Sequence, residues 1–182
     1  MELFLSFYPS NETRDGLMKT IEEAKQYGDG VCHRYETLHV TLDYLGEVAD
    51  ERYDELVNVL RKVGKRHAPF TMKGEGRVWL SPDTSVYNAR SLLYMWVKNE
   101  AIQAVFDDLS KELEDANFWH ADHGGYMPHS TLFMSYVPNN AEEKVPSVDA
   151  FDDRFDSIIL YQCCEIDGHV AYYPLFVQPL EG

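Results

Sequence analysis

The sequence predicts a chain of mixed helix and strand whose second half repeats the element order of its first. Three observations predict this. Segments with two-residue alternation interleave with segments at helical spacing. A turn-rich stretch, Ser81-Pro82-Asp83-Thr84-Ser85, divides them near the middle. In each half a strand and a helix precede a strand that opens on His-x-Thr-Leu, first His39-Val40-Thr41-Leu42 and then His129-Ser130-Thr131-Leu132.

Glu2 to Tyr8 alternates, is rich in Phe and Leu, and is closed by Pro9, as a strand is. Ser10 and Asn11 cap a helix carrying Leu17, Met18, Ile21 and Ala24 on one face, with an end near Gly28 and Gly30. Thr37 to Leu45 is β-branched and alternating, a second strand stopped by Gly46. Asp50 caps a helix with Tyr53, Leu56, Val57, Leu60 and Val63 at helical spacing and Gly64 behind it. Short strands follow at 70–72 and 77–80, with Gly74-Glu75-Gly76 read as a turn. Beyond the link, strand material runs over 86–97. Asn99 then caps a helix with Ile102, Val105, Phe106, Leu109 and Leu113 on one face. His129 to Val137 is a strand entered through Pro128, and strands at 155–161 and 169–177 close the sequence. Between them, 139–153 is an acidic loop of about 15 residues, long enough to be mobile or functional. One domain is expected, lobe one about 1–85 and lobe two about 86–182, with strand exchange between them left open.

Composition narrows the function classes. At 182 residues, 45% hydrophobic and 13% aromatic, the chain is globular and not disordered. The 31 acidic and 16 basic residues leave a net charge of −15. Long duplex nucleic acid needs a basic stripe to neutralise its phosphates, and none is visible. A nucleic-acid-like partner is therefore small: a nucleotide, a short oligonucleotide or a strand end. Cys32, Cys163 and Cys164 make no disulfide framework, which points to a reduced, cytoplasmic setting. The first residues lack a basic n-region, and no apolar run reaches the roughly 20 residues of a membrane span. A soluble, unexported monomer without membrane contact is expected.

The paired motifs carry the chemistry. Residues i and i+2 of a strand share a face, so His39 projects with Thr41, and His129 with Thr131. Val40 and Leu42 then face a core, as Leu132 does. If the two strands lie side by side, two imidazoles and two hydroxyls converge on one point. That set fits a phosphodiester. Hydroxyls and N–H groups bond the non-bridging oxygens, one neutral His takes a proton from the nucleophile, and one protonated His gives a proton to the leaving oxygen. Imidazole titrates near neutral pH, so it suits both tasks without a metal or other cofactor. Chance alone is a poor account: seven His and seven Thr in 182 residues give about 0.3 His-x-Thr matches.

These motifs resemble the two-histidine (2H) phosphoesterase superfamily, whose members include the cyclic phosphodiesterases and the so-called 2′-5′ RNA ligases. His39 to Val48 is close to that family's first form, His-x-Thr-Leu followed by an aromatic, Leu and Gly, and Pro128 to Leu132 matches its Pro-His-x-Thr-Leu form. The resemblance spans nearly the whole chain. It implies a bilobed α+β fold, two antiparallel sheets facing a central cleft with helices outside and a pseudo-two-fold relation. It also implies action on 2′,3′-cyclic phosphates, 2′-5′ linkages or cyclic (oligo)nucleotides, and it permits phage-type degradation of cyclic oligonucleotide immune signals. By the same analogy His39 protonates the leaving oxygen and His129 activates water. Relatives that process RNA often carry Arg two residues after the second motif's Leu; Met134 stands there, preceded by Phe133. Two other function classes fit the same residues: a nucleotide-binding sponge or sensor, and an RNA 2′-5′ end-joining enzyme.

Alternation, and position in the loops beside the motif strands, assign further residues to the cleft. Phe133 is placed to stack on a base, Asp43 to orient a neighbouring group, and Tyr126 and Tyr8 to line the rim. His120-Ala121-Asp122-His123 resembles a metal cluster in residue type, but without a second cluster at ligand spacing it reads as a solvated loop. His33, His67 and His169 read as surface or strand-edge residues.

Overall fold

Two antiparallel sheets and three helices form an α+β fold in the computed structural model, which describes residues 1–82, 90–120, 125–139, 141–166 and 169–182. The strands are β1 (Glu2–Phe7), β2 (Gly28–Cys32), β3 (Val40–Glu47), β4 (Phe70–Leu80), β5 (Leu92–Trp96), β6 (His129–Pro138), β7 (Asp152–Phe155), β8 (Ser157–Ile166) and β9 (His169–Pro179). The helices are α1 (Asn11–Ala24), α2 (Tyr53–Arg66) and α3 (Glu100–Asp115). One sheet has the order β3-β1-β8-β9 and the other β2-β6-β5-β4-β7. Sheet membership thus crosses the middle of the sequence. β2 and β4 join the sheet of the second motif, and β8 and β9 join that of the first. The division at 85–86 falls outside the described residues.

The helices form where caps and apolar faces coincide. The Ser10 hydroxyl accepts the Thr13 N–H, and Leu17, Ile21 and Ala24 are buried, with α1 packed on β2 and β6. The Asn99 side chain accepts the Ile102 N–H at 3.0 Å, and Ile102, Val105, Leu109 and Leu113 face α2 and the core. α2 covers β8 and β9. Its start departs from expectation: Asp50 opens a 3₁₀ turn, Asp50–Arg52, and the α-helix begins at Tyr53 without a side-chain cap.

Glycines account for the other departures. Gly28 and Gly30 do not end α1; they lie inside β2, where a Cβ on Gly30 would come within 2.9 Å of the Met134 carbonyl. Gly74 to Gly76 is no turn between two strands but an irregularity within one, β4, whose register shifts between Gly74 and Val78. A Cβ at Gly74 would sit 1.6 Å from the Tyr94 hydroxyl, so only glycine admits that ring. The strand expected over 86–97 is confined among described residues to β5. The first motif's strand begins at Val40, after a 3₁₀ turn, Tyr35–Thr37. The described part of the acidic segment 139–153 is pinned. Tyr94 donates its hydroxyl to the Asp149 carbonyl and accepts the Phe151 N–H, Arg90 pairs with Glu143, and Val145, Val148 and Phe151 pack on the core. No described helix is long and apolar enough to cross a membrane.

Candidate active site

Both motifs sit where strand alternation puts them. Thr41 pairs with Ser6 on β1 and stays partly exposed, while Val40 is buried; Thr131 pairs with Leu93 on β5 and stays partly exposed, while Ser130 is buried. The two imidazoles are oriented by the same device. His39 Nδ1 lies 2.7 Å from the Thr37 carbonyl, and His129 Nδ1 lies 2.8 Å from the Met127 carbonyl. A carbonyl only accepts, so each Nδ1 carries hydrogen and each Nε2 is turned away from the backbone. His39 Nε2 is then an acceptor, and the Thr41 hydroxyl donates to it at 3.0 Å. Phe4, Tyr172 and His33 enclose the His39 ring at centroid distances of 5.1, 5.4 and 5.8 Å. Burial in that cage pulls the His39 pKa down to about 4; the Thr37 carbonyl opposes this, and charge on His33 or His129 adds to it. Thr41 and His129, with Tyr126 and Met127, line one cavity of about 280 Å³, so the two motifs open onto a common space.

Asp43 and Phe133 are not on the cleft face. Simple alternation puts both there, but each strand carries a bulge immediately after its Thr. Thr41 and Asp43 oppose Ser6 and Leu5, leaving Leu42 as the extra residue; Thr131 and Phe133 oppose Leu93 and Leu92, leaving Leu132 extra. Two successive side chains therefore turn inward on each strand. Asp43 is 0% exposed and Phe133 1%, and the Phe133 ring packs edge-on against Tyr136. Met134, one residue on, takes the open side and lines a second, smaller cavity with His33 and Tyr172.

The remaining expected contacts resolve differently. Tyr126 lines the cavity, but its hydroxyl donates to the Thr41 carbonyl at 3.0 Å and its ring stacks on Phe106. Burial, with the Asp43 charge added, pushes its pKa above the usual tyrosine value. It holds β3 and offers the cleft a ring face only. Tyr8 is half-buried under the Arg14 guanidinium, which also lies over Tyr35 and bonds the Tyr8 hydroxyl at 2.6 Å. The Tyr8 hydroxyl is committed there. His120 is not solvated: its Nδ1 lies 3.0 Å from the Asp43 carboxylate. Asp122 and His123 lie outside the described residues. Among the described residues, no three His, Cys, Asp or Glu side chains group to hold a metal ion.

Sequence reasoning missed His33 and Tyr172. His33 is buried at the end of β2 with its Nδ1 at 3.2 Å from both oxygens of Thr37, and its own backbone N–H bonds the Leu132 carbonyl. The only signal for it was its nearness to the first motif. Tyr172 comes from β9, more than 130 positions from His39, and no local pattern marks it.

This fold is similar to that of a solved phosphoesterase structure. The family model described as LigT-like phosphoesterase matches residues 8–82. Two curated relatives are each named RNA 2′,3′-cyclic phosphodiesterase. One, from Thermotoga maritima, is 25% identical over 94% of this chain and 100% of its own length. The other, from Methanocaldococcus jannaschii, is 24% identical over 89% and 91%. Among solved structures, TT0787 of Thermus thermophilus superposes with a TM-score of 0.81 at 17% identity, covering 100% of this chain and 99% of that one. E. coli LigT complexed with 3′-AMP gives 0.77 at 19%, covering 100% and 98%. Residues 8–82 thus carry the match to the LigT-like phosphoesterase model, and the chain has the fold of the solved LigT structure.

Proposed function

We propose that the chain hydrolyses 2′,3′-cyclic phosphodiesters at nucleotide or short oligonucleotide ends, with His39 and His129 as the acid–base pair and Thr41 and Thr131 holding the phosphate. The observation that carries this is the matched anchoring of the two imidazoles, with Thr41 of one motif and His129 of the other lining one cavity. The names of the two relatives and the 3′-AMP bound to E. coli LigT support the substrate class.

The resting state of His39 supports one assignment of the roles. Its Nε2 is an acceptor and burial holds its pKa down to about 4, which favours it as the base, the reverse of the analogy drawn from the sequence. In the free protein Thr41 occupies that lone pair; with substrate bound, the hydroxyl turns to a non-bridging oxygen and a water takes its place. His39 Nε2 removes a proton from the water as its oxygen bonds to phosphorus. The bond from phosphorus to one ribose oxygen breaks, and that oxygen takes the proton from His129, leaving a phosphomonoester and a free hydroxyl.

A panel of 2′,3′-cyclic mononucleotides, 2′-5′ dinucleotides and cyclic oligonucleotides assayed in EDTA tests the reading. His39→Ala and His129→Ala should each lower kcat on the order of 10²–10⁴-fold, and the double variant should be little worse than either single one. Turnover that survives both substitutions, or that requires added metal, refutes it. The pH profile of kcat/KM reports the free enzyme. A base with pKa about 4 must be deprotonated, so activity should fall only as pH drops towards 4. An acid limb well above 4 returns the base role to His129.

A further inference from the structure

We infer that the smaller cavity beside His39 is a subsite for a second nucleotide, whose ribose hydroxyl is given to His33 and whose phosphate is held by Arg34. This rests on the phosphodiesterase reading and adds that the preferred substrate carries a phosphate beyond the one being cleaved. The cavity measures about 120 Å³ and is lined by His33, Arg34, Thr37, Met134 and Tyr172, among others. At roughly 30 Å³ per bulk water it holds about four waters' worth of volume, room for a sugar–phosphate corner with the base outside. It abuts the site directly, because His33 and Tyr172 each contact the His39 ring.

The tautomer of His33 follows from its neighbours. The Thr37 hydroxyl spends its proton on the Arg34 carbonyl at 3.1 Å, so His33 Nδ1 must be the donor to Thr37. Nε2 is left as an acceptor on a largely buried side chain that lines the cavity. Burial lowers the His33 pKa and keeps the ring neutral. An acceptor at a cavity wall takes a hydrogen-bond donor, and a ribose hydroxyl is such a donor. A phosphate oxygen is not, so the anion falls to Arg34. Arg34 is the only cation lining this cavity among the described residues. It is exposed, and no carboxylate pairs with it there, whereas Arg52, Arg66, Arg77 and Arg90 each hold one. Met134 leaves the opposite wall uncharged.

Calorimetric binding of two product-like ligands to the whole chain tests this without turnover: 3′-AMP, with one phosphate, and the 3′-phosphorylated dinucleotide ApAp, with two. ApAp should bind about tenfold more tightly. Arg34→Ala, at an exposed position, should remove that advantage and leave 3′-AMP unchanged, and should reduce the salt slope for ApAp by roughly 0.7, one single-strand phosphate contact. Replacing the ribose of the 5′ nucleotide by deoxyribose should weaken binding to the native protein but not to His33→Phe. Equal affinity for the two ligands, or an equal loss of both in Arg34→Ala, overturns the subsite alone. Binding of neither ligand removes the phosphodiesterase reading and the subsite with it.

Discussion

β3 and β6 carry the same His-x-Thr-Leu device, the same Nδ1-to-carbonyl anchor and the same bulge, yet they are supported by opposite means. β3 is the edge of its sheet, and side chains clip it: His120 to the Asp43 carboxylate and Tyr126 to the Thr41 carbonyl. β6 is interior, with β2 paired along it from Cys32↔Phe133 to Gly28↔Pro138, and an aromatic ring fills the place that Asp43 takes in β3. An edge strand has unpaired backbone groups and needs a polar cover, whereas an interior strand can be held by packing. The supports are also exchanged. His120 and Tyr126 belong to the segment leading into the second motif, and β2 with His33 belongs to the segment leading into the first. Each motif strand is braced by the chain that delivers the other, so the two histidines are positioned together.

Substitutions at the paired inward positions should break the symmetry most. Phe133→Ala leaves a cavity in a packed core and should cost about 3–5 kcal/mol in urea unfolding. Asp43→Asn keeps an acceptor for His120, exchanging a charged hydrogen bond for a neutral one, and should cost only about 1 kcal/mol. Equal losses would mean that β3 depends on the charge itself. On the open face the order is the same. Thr131→Val should remove one hydrogen bond to a charged phosphate, about 1.5–3 kcal/mol or roughly 10- to 100-fold in kcat/KM. Thr41→Val should cost less than that, because its hydroxyl must give up His39 Nε2 before it reaches the phosphate. A Thr41 variant worse than its Thr131 counterpart would place the tighter phosphate contact on β3.

The four motif residues were legible because strand alternation is a local property: Val40 and Ser130 went inward and Thr41 and Thr131 outward, as a period of two requires. Asp43 and Phe133 were misplaced for the same reason. A bulge breaks the period, and Leu42-Asp43 and Leu132-Phe133 hold no glycine or other residue that marks one. Ser10 and Asn99 announced their helices because a cap is a contact over three residues. The glycines at 28, 30 and 74 were misread as breaks because what they accommodate, Tyr136, the β6 backbone and Tyr94, comes from distant sequence. His33 and Tyr172 escaped notice likewise: they reach His39 through strand pairing and sheet order, which no spacing encodes.

The smallest expected effect tests the clip on β3 alone. Tyr126→Phe deletes one hydroxyl that donates to the Thr41 carbonyl and keeps the ring on Phe106. Stability should fall by about 1 kcal/mol, the usual worth of one such bond plus the unmade acceptor. Because the carbonyl belongs to Thr41 itself, kcat should drop a few-fold while KM for a mononucleotide barely moves, the mark of a residue that positions a catalytic strand without touching substrate. If KM rises instead and kcat holds, the Tyr126 hydroxyl binds substrate directly, and β3 is steadied by the Asp43–His120 contact without it.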